Sequence, residues 1–142
     1  MANQTLTVPI IFDMPVSFNL AAGQTSNQYS LGSFAPLGLT GATYTTFPVP
    51  ASLQFSILNY KLLNSLTTDL YISYIMDGTV QSSVVDANYF VASLLNPSRL
   101  STPIVVGPTH TISIIAYPTS TVTTAATEVI TAVAMLAPVG AK

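Results

Sequence analysis

Residues 70–85, LYISYIMDGTVQSSVV, decide the fold class. Leu70, Ile72, Tyr74 and Met76 alternate with Tyr71, Ser73 and Ile75, a period of two that puts one set of side chains on each face of a strand. Asp77-Gly78 follows at once and precedes a second extended run, residues 79–85. Asp-Gly between two alternating runs predicts a two-residue hairpin turn of type I′, in which both central residues adopt positive φ.

The same pattern recurs outward from this hairpin. Residues 52–59 set Leu53, Phe55 and Ile57 against Gln54, Ser56 and Leu58. Residues 89–95 form a run closed by Asn96-Pro97. Residues 104–106 lead into Gly107-Pro108, and residues 110–117 alternate Ile112, Ile114 and Ala116 before Pro118 stops them. Toward the N-terminus, residues 5–12 and 15–20 read as two short extended runs separated by Asp13-Met14, with Pro9 and Pro15 marking edge or irregular positions. Residues 121–124 are polar but β-prone.

Residues 129–136 admit two readings, because Ala125, Val129, Val133 and Leu136 also fall on one helical face. Strand is preferred, since Thr and Val are stiff at χ1 and fit a pleated surface. Between them, residues 21–50 make a connection rich in Gly, Ser, Thr and Pro, with short candidate strands at 29–31 and 44–47. No charge occurs between Met14 and Tyr60, which places much of this connection against protein. About eight to ten strands in one domain predict an all-β fold: a single-domain antiparallel β-sandwich, jelly-roll-like or immunoglobulin-like. Residues 1–20 are expected to form an extended N-terminal strand or arm, and residues 21–142 the sandwich domain. No repeat period stands out, which disfavours propellers and solenoids.

Composition narrows the function. The chain has 142 residues, enough for one core, yet only 8 are charged, three Lys or Arg and five Asp or Glu. That is 6%, against about 25% in a typical soluble domain. The polar remainder is chiefly 19 Thr and 15 Ser. With 49% hydrophobic residues, the chain is not of the disordered class. Three basic residues are too few for phosphate-backbone recognition, so a nucleic-acid partner is excluded. Cysteine is absent, which removes disulfides, thiolate metal sites and cysteine nucleophiles. The N-terminus has no basic region followed by an apolar one and does not read as a signal peptide. The longest apolar segment, residues 129–139, is broken by Thr131 and Pro138, so no membrane span is expected.

Chemistry-bearing motifs are few. The single histidine, His110, stands at a strand start and has no second imidazole to help it bind a metal; it reads as a capped strand-end residue. Asp77 and Asp86 flank the hairpin and could ligate Ca²⁺, but their spacing matches no calcium loop, and turn chemistry accounts for Asp77. Neither a Gly-x-Ser-x-Gly elbow nor a phosphate-cradling glycine loop is present. The chain therefore reads as a non-enzyme with no cofactor or metal. Asn3-Gln4-Thr5 is the sole glycosylation sequon. Seven Tyr and six Phe either fill the core or supply a carbohydrate-stacking surface.

A surface so poor in charge is expected to associate. Two compatible explanations account for it: extensive subunit contacts, where charged residues are depleted, or an acid medium, in which a fold with few carboxylates has little to lose by protonation. Asp77-Gly78 after a strand, then Gly107-Pro108-Thr109-His110-Thr111-Ile112-Ser113-Ile114, then a closing Thr/Val/Ala strand, resembles the C-terminal half of jelly-roll modules in virion decoration, turret and fibre-head proteins. The resemblance covers residues 70–136. It implies a virion structural module, often trimeric, without catalytic residues. The low-charge composition is similar to that of surface proteins from viruses and cells of hot acidic springs, which points to an archaeal virus.

The sequence thus leads to a structural virion protein, a capsid, decoration or turret subunit located on the virion surface or otherwise extracellular. Its partners would be further copies of itself and other subunits of the same particle. The N-terminal run, through Leu6, Val8, Ile10, Ile11, Phe12, Val16 and Phe18, is expected to reach a neighbour by β-addition. Two alternatives stand beside this: a subunit of an extracellular filament or pilus assembled by N-terminal strand donation, and a carbohydrate- or receptor-binding module using exposed Tyr and Asn.

Overall fold

The computed structural model describes residues 8–36, 42–62, 66–81, 85–86 and 103–139. These contain ten strands and no helix: β1 Ile10–Leu20, β2 Ser30–Ser33, β3 Phe47–Pro48, β4 Leu53–Lys61, β5 Leu70–Met76, β6 Thr79–Val80, β7 Val85–Asp86, β8 Ile104–Val106, β9 Thr111–Pro118 and β10 Ala126–Pro138. The all-β expectation holds. Among the described residues no helix is long and apolar enough to cross a membrane. The predicted run at residues 89–95 and the sequon at Asn3 lie outside the described residues.

The strands form one antiparallel sheet that curls on itself, in the order β6-β5-β9-β2-β1-β10-β4-β8, with β3 also beside β9 and β7 also beside β5. The predicted hairpin is present: Asp77 has φ 52° and Gly78 φ 82°, and Met76 pairs with Thr79 across them. Residues 129–136 lie in β10, a strand of 13 residues, whose β-branched Thr127, Val129, Ile130, Thr131 and Val133 suit a pleat better than a helix. Residues 121–124 are not a strand. Instead Val122 is tied to the first loop by Gly23 N donating to its carbonyl (2.7 Å) and its own N–H donating to the Gln24 carbonyl (2.9 Å).

The N-terminal runs differ from the expectation of a break at Asp13-Met14. β1 is continuous from Ile10 to Leu20 and pairs with β10 at every residue. Phe12, Met14, Val16, Phe18 and Leu20 stay in phase on the inner face and are all buried. Asp13 points outward, where its carboxylate meets Lys61 Nζ of β4 at 2.9 Å. Pro15 sits beyond the reach of β2, which pairs only with Ser17 and Phe18, so its missing N–H disrupts no ladder on that side.

The core lies inside the curl. The inner faces of β1, β10 and β4 meet those of β5 and β9, bringing Phe18, Ile130 and Phe55 together with Leu70 and Ile114 in one cluster. Aromatic rings cross the gap: Phe47 packs edge-on against Phe55 (5.3 Å), Tyr44 (5.2 Å) and Phe34 (6.5 Å). Between β4 and β10 the register shifts, with Ile57 opposite Ala134 and Asn59 opposite Val133. This bulge at Leu58 changes the parity of β4, so that Phe55, Ile57 and Tyr60 are all buried.

Strand β2 joins the two halves. Its Ser30 and Leu31 pair with β9, while its Gly32 and Ser33 partner β1. A Cβ on Gly32 would lie 2.4 Å from Val16 Cγ1, 2.9 Å from Phe18 Cε1 and 3.0 Å from the Ile114 carbonyl oxygen. Only glycine lets the strand pass so close to both neighbours. Gly32→Ala is therefore expected to cost roughly 1–3 kcal/mol by overpacking, measured by urea unfolding. Gly107→Ala, whose new methyl would meet only His110 Cδ2 at 3.5 Å, is the control and should fall well below that. Equal effects at the two positions would contradict the close approach.

Candidate functional site

Three places hold the described side chains with chemical or assembly potential: the strand β1, the turn at Asp77, and a buried carboxylate at Glu128. In β1, Phe12, Val16 and Phe18 face inward and are buried, Ile10 is half-buried against the core, and Ile11 points outward with 63% of its surface exposed. Val8, just before the strand, is 61% exposed. Leu6 lies outside the described residues. Within the chain, then, β1 is a constituent strand, and what it offers to a neighbour is its outer face and the edge at residues 10–16, where β2 does not pair.

At the opposite side of the sheet Asp77 and His110, 33 positions apart, come together. His110 Nδ1 donates to Asp77 Oδ2 at 2.6 Å, and the Thr111 N–H donates to Oδ1 at 2.9 Å. The backbone repeats the link, with Asp77 N donating to the Thr111 carbonyl at 3.1 Å. One carboxylate thus clasps the β5–β6 hairpin to the start of β9. The residue before His110, Thr109, holds φ 68°, an αL conformation that turns the chain from β8 into β9. The N–H of Thr111, with the His110 ring second, holds the Asp77 carboxyl below the usual carboxylate range. Both side chains are about half exposed, 47% for Asp77 and 55% for His110.

An Nδ1-bound carboxylate orients an imidazole for base catalysis when a hydroxyl meets Nε2. Among the described residues no such hydroxyl is hydrogen-bonded there, and no group of three or more potential metal-ligating His, Cys, Asp or Glu side chains occurs. The geometry is that of a structural clasp. Both Asp77 oxygens are engaged within the chain, and the Asp86 side chain, its suggested calcium partner, lies outside the described residues.

Glu128 is the residue that reading the sequence passed over. It is in phase with Ile130, Ala132, Ala134 and Leu136 on the inner face of β10 and is 5% exposed. Its two oxygens accept the N–H groups of Thr67 (3.2 Å) and Thr68 (2.7 Å), which precede β5. An inward carboxylate is stable when charge-assisted hydrogen bonds replace its water. The signal was an acidic residue on the apolar phase of an alternating strand. Burial also pushes the Tyr60 phenol above its ordinary range, with Tyr74 adding to the effect.

Two outcomes follow from this geometry. Glu128→Ala leaves two N–H groups without their acceptor and should lower unfolding free energy by roughly 1–3 kcal/mol; an unchanged urea midpoint would contradict the assignment. For Asp77, a lowered folded-state pKa stabilises the protein above the unfolded carboxylate value and is lost as pH falls through the folded value. Thermal unfolding of the native chain should therefore weaken at Asp77 only below about pH 4. Asp77→Asn should lower the midpoint at neutral pH and flatten part of the acid-induced fall, whereas superimposable pH profiles would show that the clasp contributes nothing.

No protein-family model matches the chain and no curated protein does, so its functional reading rests on its own residues and geometry.

Proposed function

We propose that the protein is a non-enzymatic structural subunit of a virus particle, placed at the virion surface as a capsid, decoration or turret component and held there by contacts with copies of itself and other subunits. In this reading the curled sheet is a jelly-roll-like sandwich, one half of which turns its outer face to neighbours. One observation carries the proposal. Exposed aliphatic side chains lie on the outer side of β1, β8 and β10, with Ile11 and Val105 at the two ends of the paired row Ile11–Met135–Ser56–Val105, in whose middle Met135 is half-buried and Ser56 is buried. Ile11 is 63% and Val105 50% exposed, with Val129 further along at 44%. The ion pair of Asp13 and Lys61 is the charged feature described on that face. Isolated monomers cover such faces with charge; subunit interfaces leave them apolar. The scarcity of titratable groups suits an acid medium as well, in keeping with the archaeal-virus expectation.

A second reading, an extracellular filament grown by strand addition, is favoured by the edge of β1. Residues 10–16 have no strand partner on the side away from β10 among the described residues, and an open edge is a template for another strand. Removing residues 1–20 would not separate these readings, because it strips five side chains from the core.

Ile11→Lys with Val105→Lys changes two exposed positions and should leave unfolding within about 0.5 kcal/mol of the parent. Light scattering and electron microscopy of both proteins, at neutral pH and at about pH 3, give the test. Shells, rings or sheets from the parent that the double variant cannot form support the virion subunit. Fibres that persist in the double variant support strand addition. A parent that stays monomeric at both pH values contradicts self-assembly through this face.

A further inference from the structure

On the outer face of the other half of the sheet Ser73, Ser113 and Ile115 are buried, and the exposed part is the end where β5 begins and β9 finishes. Leu70 and Ile72 of β5, and Ile112, Ile114 and Ala116 of β9, enter the core, so Tyr71 and Tyr117 project outward. They are direct partners across the two strands. On the far side of β9, Ser30 pairs with Ala116 and Leu31 with Ile115, and the same register continued by one residue sets Tyr29 opposite Tyr117. The rings of Tyr29 and Tyr117 meet at 5.7 Å and 77°. Three tyrosines thus stand in one row across three adjacent segments, spanning roughly 10 Å at ordinary strand spacing. Tyr29 is 43% and Tyr71 39% exposed, and Tyr117 is half-buried between them.

The three tyrosines stand outside the core cluster, whose ring contacts are made by Phe34, Phe47 and Phe55 with Tyr44. The near-perpendicular pair makes a corner, in which Tyr29 is the more exposed ring. Beside it a shallow depression is lined by Ala21, Gly23, Gln24, Gln28 and Tyr29. Gln24 is fixed there by bonds to the Gln28 carbonyl and Ser30 Oγ, and the exposed Gln28 holds its amide against the Thr25 N–H. The acidic Asp69 lies two residues before Tyr71. Aromatic faces and amide groups, with no Lys or Arg among the described residues of the row and the depression, are the chemistry that recognises the C–H faces and hydroxyls of an uncharged sugar, and they disfavour phosphate, sulfate or sialic acid.

We propose that Tyr71, Tyr117 and Tyr29 form a binding platform for a neutral oligosaccharide, with Gln28 as the adjoining hydrogen-bonding group. The row is long enough for about two sugar rings, one per strand interval. This site lies on the half of the sheet away from the Ile11–Val105 row and does not depend on the assembly reading.

The test uses the full chain titrated with cellohexaose, maltohexaose, mannohexaose and chitohexaose, followed by saturation-transfer NMR and by calorimetry, with decaproline and a sulfated hexasaccharide as comparison ligands. At least one neutral hexaose should bind. Tyr71→Ala and Tyr29→Ala should each weaken it by about tenfold, while Tyr71→Phe, which keeps the ring, should retain most of the affinity. Failure of all four neutral sugars to bind overturns the proposal. So does binding that survives both alanine variants, a preference for the sulfated sugar, or binding of decaproline alone, which would make the row a polyproline-peptide surface.

Discussion

The passage of β2 between β1 and β9 is the constraint on which the rest of the structure depends. Over four residues the strand changes partners, bonding to β9 through Ser30 and Leu31 and to β1 through Gly32 and Ser33. The sheet can curl there only because Gly32 presents no side chain to Val16, Phe18 and the Ile114 carbonyl. Once it has curled, the inner faces of β1, β10 and β4 confront β5 and β9, and the Phe47–Phe55 contact ties the halves together. Burying these two faces against each other supplies the hydrophobic driving force. It also fixes which faces are left outside.

Those outer faces explain how so few charges suffice. Each charged side chain among the described residues has a particular partner inside the molecule. Asp13 meets Lys61, Asp77 holds His110 and Thr111, Glu128 holds Thr67 and Thr68, and Asp69 accepts the Leu70 N–H. Charge in this protein fastens loops and strands to one another. The outside is left to Ser, Thr, Tyr and exposed aliphatic groups, and the two halves differ in kind: the exposed aliphatic side chains Ile11, Val105 and Val129 on the β1–β10–β4–β8 side, a tyrosine row at the end of the β5–β9 side. A subunit contacting neighbours through the first and glycans through the second would use both faces without conflict.

Much of this was legible in sequence because it is local. Residues 70–76 and 104–106 are strands within the boundaries their alternation marked, and Asp77-Gly78 takes the turn its backbone preferences demand. β10 followed from its β-branched residues. What escaped was non-local. β2 is four residues long and too short for a period to show, and its partner change is visible only when β1 and β9 are both in place. The break expected at Asp13-Met14 ignored that Asp13 could project outward to Lys61 while Phe12 and Met14 kept phase. His110 read as a capped strand-end residue, but which group it meets was hidden because Asp77 is distant in sequence, and the tyrosine row exists only in the register of β5 on β9. Glu128 was open to inference from its phase alone.

The most direct test of this account is the proton contact at the corner of the sheet. In a NOESY spectrum of the folded chain with labelled valine methyls, the Gly32 α-protons should show strong cross-peaks to a Val16 methyl and to the Phe18 ring. Their appearance places β2 where the curl requires it. Assigned Gly32 resonances without either cross-peak would mean that β2 does not join the two halves, and the division of the surface into an aliphatic face and a tyrosine face would fall with it.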